Sequence, residues 1–469
     1  MALSRIATLS LGLALAPLAL AAPPLIGGCP VLPPDHVFNT RIDSLPVHPQ
    51  SQAFLATIST GTRRLHLDLG QSEDQASDSY WGIPYNVVSA SQAPWAAVTI
   101  TSDGAPDESD CARADGSLVR PCTHLTEPAR LPIPAQPLVE GGISSNPAIY
   151  NDHHILTLDT DRCMLWESYL SYLRPDGGWN IYGSAAFDLR SNALRPAGWT
   201  SADAAGFPIL PLLLRADEAT AGEIRHALRF TIQSQKIRTS YTWPARHLTR
   251  NGDASPAKPP MGQLFRLKAD YPIPDTYTVQ AKAILTALKR YGMYIADGGS
   301  DMYITGTPSR LWSDATISQV QTVPHTAFEA VDLDAVATRS GFDRDSARVP
   351  PAPGAAAEFS AAVQGALSDH TVWASLQVSA ADMGRPGAVY LAANVPGLGF
   401  FALAPQGWVQ VQDGNLPAFT TTPLGTHLFP VLERAAVEGL RGTEIYLGYG
   451  TSLSDMLDQR KFALVHVLR

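Results

Sequence analysis

The chain has 469 residues, too many for one hydrophobic core, so two or three domains are expected. Hydrophobic residues make up 45% and charged residues only 16%, which excludes a disordered polyelectrolyte. A net charge of −9 with no basic run excludes nucleic acid as a partner.

Helix-stabilising charge pairs are scarce, while 36 Gly and 38 Pro punctuate short runs of strand formers. The expected fold class is therefore mainly β. It consists of a β-sandwich (jelly-roll-like) main domain with one packed amphipathic helix, plus a smaller C-terminal β-sandwich. Boundaries follow from composition: 1–21 signal peptide, 22–326 main domain, 327–360 linker region, 361–469 accessory module. Residues 1–21 place Arg5 before the apolar run Ile6 to Leu20 and end in Ala19-Leu20-Ala21, a small-x-small cleavage pattern. No later stretch is long and apolar enough to span a bilayer, so a secreted protein (periplasmic or extracellular) without an integral membrane segment is expected.

An even number of cysteines in an exported chain points to disulfides. Cys111 and Cys122 bracket a polar excursion, ARADGSLVRP, which leaves Cys29 for Cys163. The alternative is that Ile26-Gly27-Gly28-Cys29 is a lipobox and Cys29 is acylated.

Taken in order, turn signals at residues 29–50 precede AFLATIST, a short helix or strand. Leu65, Leu67 and Leu69 alternate with polar residues, and 85–88 and 96–100 read as strands. The acidic run SDGAPDESD lacks calcium-loop spacing and reads as a solvated loop. His153 to Asp159 and Cys163 to Tyr169 read as strands joined by a turn. Asp152 and His154 share parity there, a pairing that could orient an imidazole for proton transfer or merely satisfy a half-buried histidine. Glu223 to Ile232 reads as a strand, with His226 on its apolar face. Leu264 to Ala269 reads as another, with Arg266 and Lys268 facing out. Tyr277 to Tyr291 is the clearest helix: Ala281, Ile284, Leu285 and Leu288 recur at helical spacing, and Gly292 ends it. Residues 343–358 are rich in Pro and Ala, and short strands follow to the end.

The stretch from Tyr182 to His247 embeds hydrogen-bonding side chains in apolar sequence, where they must be paired or line a wet cleft. Its carboxylates and imidazoles nominate Asp188, Glu218 and His226 as catalytic, because proton transfer needs an acid and a base within reach. Asn192, Arg195, Trp199, Asp203, Arg229, Tyr241 and His247 are nominated for substrate binding, since sugars are held by aromatic platforms and by Arg and Asn donors. HExxH, CxxC, G-x-S-x-G and a phosphate loop are all missing, so neither a metal nor a cofactor is expected, and the Asp152-His153-His154 run is not read as a metal site on its own.

The motifs SNALRPAGWTSADAAGFPI, GEIRHALRFT, WPARH, PMGQLFRLKA and ALKRYGMYIADGGS resemble an uncharacterised family of exported bacterial proteins over residues 29–330. That resemblance implies secretion and no particular reaction. The C-terminal part, with Pro405-Gln406-Gly407-Trp408 and Glu444 to Gly450, is similar to an accessory module of exported bacterial proteins, which implies binding or presentation. The functional expectation is a protein acting on extracellular polysaccharide, as a glycoside hydrolase or lyase. The alternative is a non-catalytic protein binding a polysaccharide or cell-surface glycan.

Overall fold

The structure is a computed structural model that describes residues 22–59, 62–92, 95–148, 152–412 and 414–469. The expected signal peptide lies outside these residues. The chain forms two compact units: His36–Val349, and a second made of Pro350–Arg469 together with the N-terminal segment up to Asp35.

The first unit is built on a six-stranded sheet. In spatial order its strands are Phe328–Ala330, Leu264–Leu267, Met293–Gly298, Leu228–Ile232, Tyr303–Thr305 and His66–Asp68. Leu228, Phe230, Leu264, Phe265, Met293, Ile295, Ile304 and Phe328 are wholly buried, so the middle of the sheet is covered on both faces. Several pairings are parallel, among them Leu228–Ile232 with Met293–Gly298 and Tyr303–Thr305 with His66–Asp68. A jelly roll is antiparallel throughout, so the mixed sheet corrects that part of the expectation. A four-stranded sheet orders Gly183–Asp188, Met164–Tyr169, Ile155–Asp159 and Tyr85–Val88, with the expected hairpin closing at Asp159 opposite Met164. A further sheet of short strands carries the stapled excursion: Cys111 pairs with Val119, and the Cys111–Cys122 disulfide joins Cα atoms 5.5 Å apart. Cys29 and Cys163 are also disulfide-bonded, so no cysteine is free.

The clearest helix spans Val279–Arg290. Thr278 caps it by accepting from the Ala281 amide, and its apolar stripe, including Ala281, Ile284, Leu285 and Leu288, is buried. Gly292 follows at φ +72°, where a side chain would stand 2.4 Å from the Phe265 carbonyl oxygen. This is not the only helix: Ser51–Ile58, Ala216–Ala221 and Asp314–Val320 also form. Arg266 does not face water as its parity suggested. It is 9% exposed, paired with Glu329 at 2.7 Å, and donates to the Ile42 and Leu45 carbonyls of a segment laid across the sheet.

The supposed linker at 327–360 is corrected in its first part. Phe328–Ala330 is a strand of the large sheet and Asp334–Ala337 is a short helix, and the chain leaves the first unit only at Val349.

In the second unit, Glu358–Gln364, His370–Gln377 and Thr426–Ala435 make one antiparallel sheet. Gly407–Gln410, Gly399–Ala404, Pro386–Val395, Glu444–Gly450 and Phe462–Val467 make another. Val372, Ala374 and Leu376 of the first share one core with Val389, Leu391, Ile445 and Leu447 of the second. The N-terminal segment closes this unit: Ala22 packs on Ala362 and Trp373, and the Trp373 indole donates to the Gly28 carbonyl at 2.9 Å. Among the described residues no helix is long and apolar enough to cross a membrane.

Candidate functional site

Strand ends and turns of the first unit converge on one polar cluster. Arg229, on the Leu228–Ile232 strand, is 4% exposed and grips the fully buried Asp203 with Nε at 2.8 Å and Nη2 at 2.5 Å. Its remaining nitrogen donates to the Thr305 hydroxyl on the neighbouring strand. Asp203 sits in a turn shaped by the Ser201 hydroxyl, which accepts from the Asp203 amide at 2.9 Å. The next residue, Ala204, donates its amide to Asp297 at 3.4 Å, and Gly298 donates at 2.6 Å, so Asp297 lies at the mouth of the same turn.

The environment separates the cluster's carboxyls. Burial and the charge of Asp203 push Asp297 up to about 7, against the opposing pull of Arg229. Burial would raise Glu140 too, but His154 holds it below the usual carboxylate range. Burial alone would lower His154; Glu140, 2.6 Å from Nδ1, carries it up to about 9 instead. The His154 Nε2–H donates to the Ala202 carbonyl at 3.0 Å, so both ring nitrogens face acceptors and the ring is an imidazolium at neutral pH. Asp152 is exposed beside this pair and accepts from the Tyr169 hydroxyl at 3.3 Å. Ligand atoms of Glu140, Asp152 and His154 all lie within 4.8 Å of one another, so these three residues could hold a metal ion. Asp68 is raised as well, by burial and by the charge of Glu140.

A pocket of about 430 Å³ is walled by Glu73, Tyr80, Tyr85, Leu138, Asp217 and Thr307 among others, and its Tyr80 feels the charge of Glu140. Leu138 lies two residues before Glu140, and Thr307 two after the Thr305 that binds Arg229. Trp81, next to Tyr80, is 63% exposed, a large aromatic face left open to solvent. A volume of this order suits a small organic ligand or a short stretch of polymer.

The residues nominated from sequence fall into separate places. Asp203 and Arg229 meet in the cluster. Glu218 and His226 also meet, at 3.0 Å, but His226 is wholly buried and its Nδ1 donates to the Ala227 carbonyl at 2.7 Å. With both nitrogens engaged and no exposed surface, His226 cannot exchange a proton with a substrate; with Arg215 on the other Glu218 oxygen, the pair clamps the Ala216–Ala221 helix to the bend that precedes the Leu228–Ile232 strand. Asp188 is elsewhere, at the end of its own strand, accepting from the Arg190 amide and Nε, each at 3.0 Å. Arg195 is buried against Asp110, donates to the Thr200 carbonyl at 2.7 Å, and lies 5.5 Å from the Trp199 ring centroid. Asn192 accepts the Ala347 amide through its carbonyl at 2.8 Å. Tyr241 is 37% exposed and lines a different pocket, of about 200 Å³, with His48, Arg238 and Asp332. His247 braces the Asp203 turn from behind, donating to the Ala204 carbonyl at 2.9 Å.

Glu140 and Asp297 were not singled out from sequence. Each stands immediately before a Gly-Gly pair, Gly141-Gly142 and Gly298-Gly299, a pattern that lets the chain turn sharply beside a carboxylate and the one signal that could have found them. No known protein family, curated protein or solved structure matches this chain.

Proposed function

We propose that this protein acts on an extracellular polysaccharide, as a glycoside hydrolase or lyase. The observation that carries the reading is that Asp297 and Glu140 lie in one polar cluster whose surroundings shift them in opposite directions, Asp297 up and Glu140 down, with the exposed Asp152 beside them. Glycoside cleavage needs a carboxylic acid to protonate the leaving oxygen and a carboxylate to draw a proton from water or from the sugar. Asp297, held up to about 7, is the acid, and the exposed Asp152 carboxylate is the base. Asp203 and Arg229 position Asp297 by fixing the turn and the charge beside it. Tyr85, in the pocket wall, and the exposed Trp81 supply the aromatic surface on which sugar rings stack. In this reading the chain is exported, as its N-terminus and its resemblance suggest, and the two sheets of the second unit form an accessory β-sandwich.

The test is depolymerisation of a panel of bacterial and plant polysaccharides by purified protein, with binding scored in parallel by gel retardation. Asp297→Asn should lower turnover by roughly 10²–10⁴-fold while leaving binding in place. Turnover should also fall as pH rises through about 7, where Asp297 loses its proton. The open Trp81 face supports a second reading, a glycan-binding protein without chemistry, which predicts retardation by the wild type with no cleavage at any pH.

A further inference from the structure

We infer that Glu140, Asp152 and His154 bind one divalent metal ion, zinc by the character of the donors. Two carboxylates and one imidazole are the mixed oxygen and nitrogen set that zinc accepts, whereas calcium and magnesium prefer oxygen alone. The three ligand atoms lie within 4.8 Å of one another, and zinc held at about 2.1 Å requires separations of roughly 3.4 Å in a tetrahedron. To reach it, Glu140 and His154, now 2.6 Å apart, would part and the wider separations, which are within 4.8 Å, would close.

The site is pre-organised. The His154 Nε2–H is pinned to the Ala202 carbonyl, as in metal-binding histidines, which orients the ring and turns Nδ1 towards the two carboxylates. The chain at Glu140 is bonded to that at His154: the Glu140 amide donates to the His154 carbonyl at 3.1 Å. Tyr169 steadies Asp152 from outside the set. The proton that His154 now shares with Glu140 is the one the ion would displace.

An independent observation comes from Tyr80. Its side chain is 5% exposed, its hydroxyl is buried with no hydrogen-bond partner among the described residues, and the charge of Glu140 acts on it. A buried phenol left unpaired is costly, and a water on the ion's fourth position would pair with it. Tyr80 also lines the 430 Å³ pocket. The site does not depend on the polysaccharide reading. If both hold, the ion holds the attacking water in place of direct activation by Asp152.

Chelator-treated, dialysed protein titrated with zinc by calorimetry tests this without any substrate. One equivalent should bind with a Kd of micromolar or below, and magnesium and calcium should not compete at millimolar concentration. Asp152→Asn, at an exposed position, should keep the thermal midpoint of the metal-free protein and weaken zinc at least tenfold. His154→Gln should abolish binding, with circular dichroism checking its fold. Cobalt in place of zinc should give visible absorption bands of tetrahedral intensity that Asp152→Asn removes. Absence of zinc binding up to 1 mM overturns the inference, and so does binding that Asp152→Asn leaves unchanged, which would mark adventitious histidines.

Discussion

Arg229 and Asp203 form a two-pronged ion pair with almost no solvent around it, so each charge depends on the other. Arg229→Ala should destabilise the protein by about 3–5 kcal/mol, because it strands a buried carboxylate, and urea unfolding would measure the loss. The pair also tunes its neighbour: Arg229 pulls Asp297 down, so Arg229→Gln should move the alkaline limb of any pH–activity profile upwards. His154 is linked to stability with a definite sign. Its folded pKa of about 9 lies above the unfolded value of 6.5, so its contribution is complete below pH 6.5 and lost as pH rises through 9. That contribution is about 3 kcal/mol at most, and His154→Gln should flatten the fall in unfolding free energy between pH 7 and 9. His226 belongs to a different class. His226→Ala should lower stability by about 1–3 kcal/mol, since it leaves Glu218 and the Ala227 carbonyl short of a donor, while the activity of the folded fraction is unchanged. Asp203 and Arg229 were legible in the sequence as polar residues trapped among apolar ones. The misplaced weight on Glu218 and His226 has the same origin: the pattern reports that a polar group is paired, and cannot distinguish a structural clamp from a site open to solvent.

At the scale of elements, the Val279–Arg290 helix shows how far periodicity carries. Its apolar stripe and its Gly292 stop are local properties, and both appear in the structure at the positions the spacing implies; the Thr278 cap is added by the structure. Gly292→Ala should cost about 2 kcal/mol or more, through the left-handed backbone and the 2.4 Å approach to the Phe265 carbonyl, read as a shift in denaturant midpoint. Strands in the middle of the large sheet were harder. The alternation expected over Glu223 to Ile232 assumes one wet face, but the strand itself is only Leu228–Ile232 and both of its faces are covered. Arg266 failed for the same reason, because a segment far away in sequence, around Ile42 to Leu45, closes over it.

For the whole molecule, the several perturbed groups combine into one pH dependence. Asp297 and Glu167 both have folded values raised to about 7, so folding is disfavoured progressively as pH rises from about 4 to 7, and the loss of the His154 contribution follows. Glu140 and Glu218 are held low, so their contribution disappears at more acid pH. The thermal midpoint should therefore peak in mildly acid solution and decline towards pH 9, which scanning calorimetry across that range would establish. The N-terminal segment contributes to the second unit through Ala22 and Gly28 on Trp373, so a fragment of residues 350–469 should be less stable than the same fragment with a peptide of residues 22–35 added. Composition, strand punctuation, cysteine parity and helical periodicity depend on neighbours along the chain, and from them the sequence by itself determined a mainly β protein with disulfides, a capped helix and polar groups needing partners. Which strands run parallel, that the segment after residue 327 joins the large sheet, and that Glu140, Asp152, His154, Asp203, Arg229 and Asp297 face one another were decided only by the tertiary structure. Apart from Asp152 and His154, which lie close together in the chain, those residues are separated by roughly ten to more than a hundred positions, and packing brings their charges close enough to shift one another.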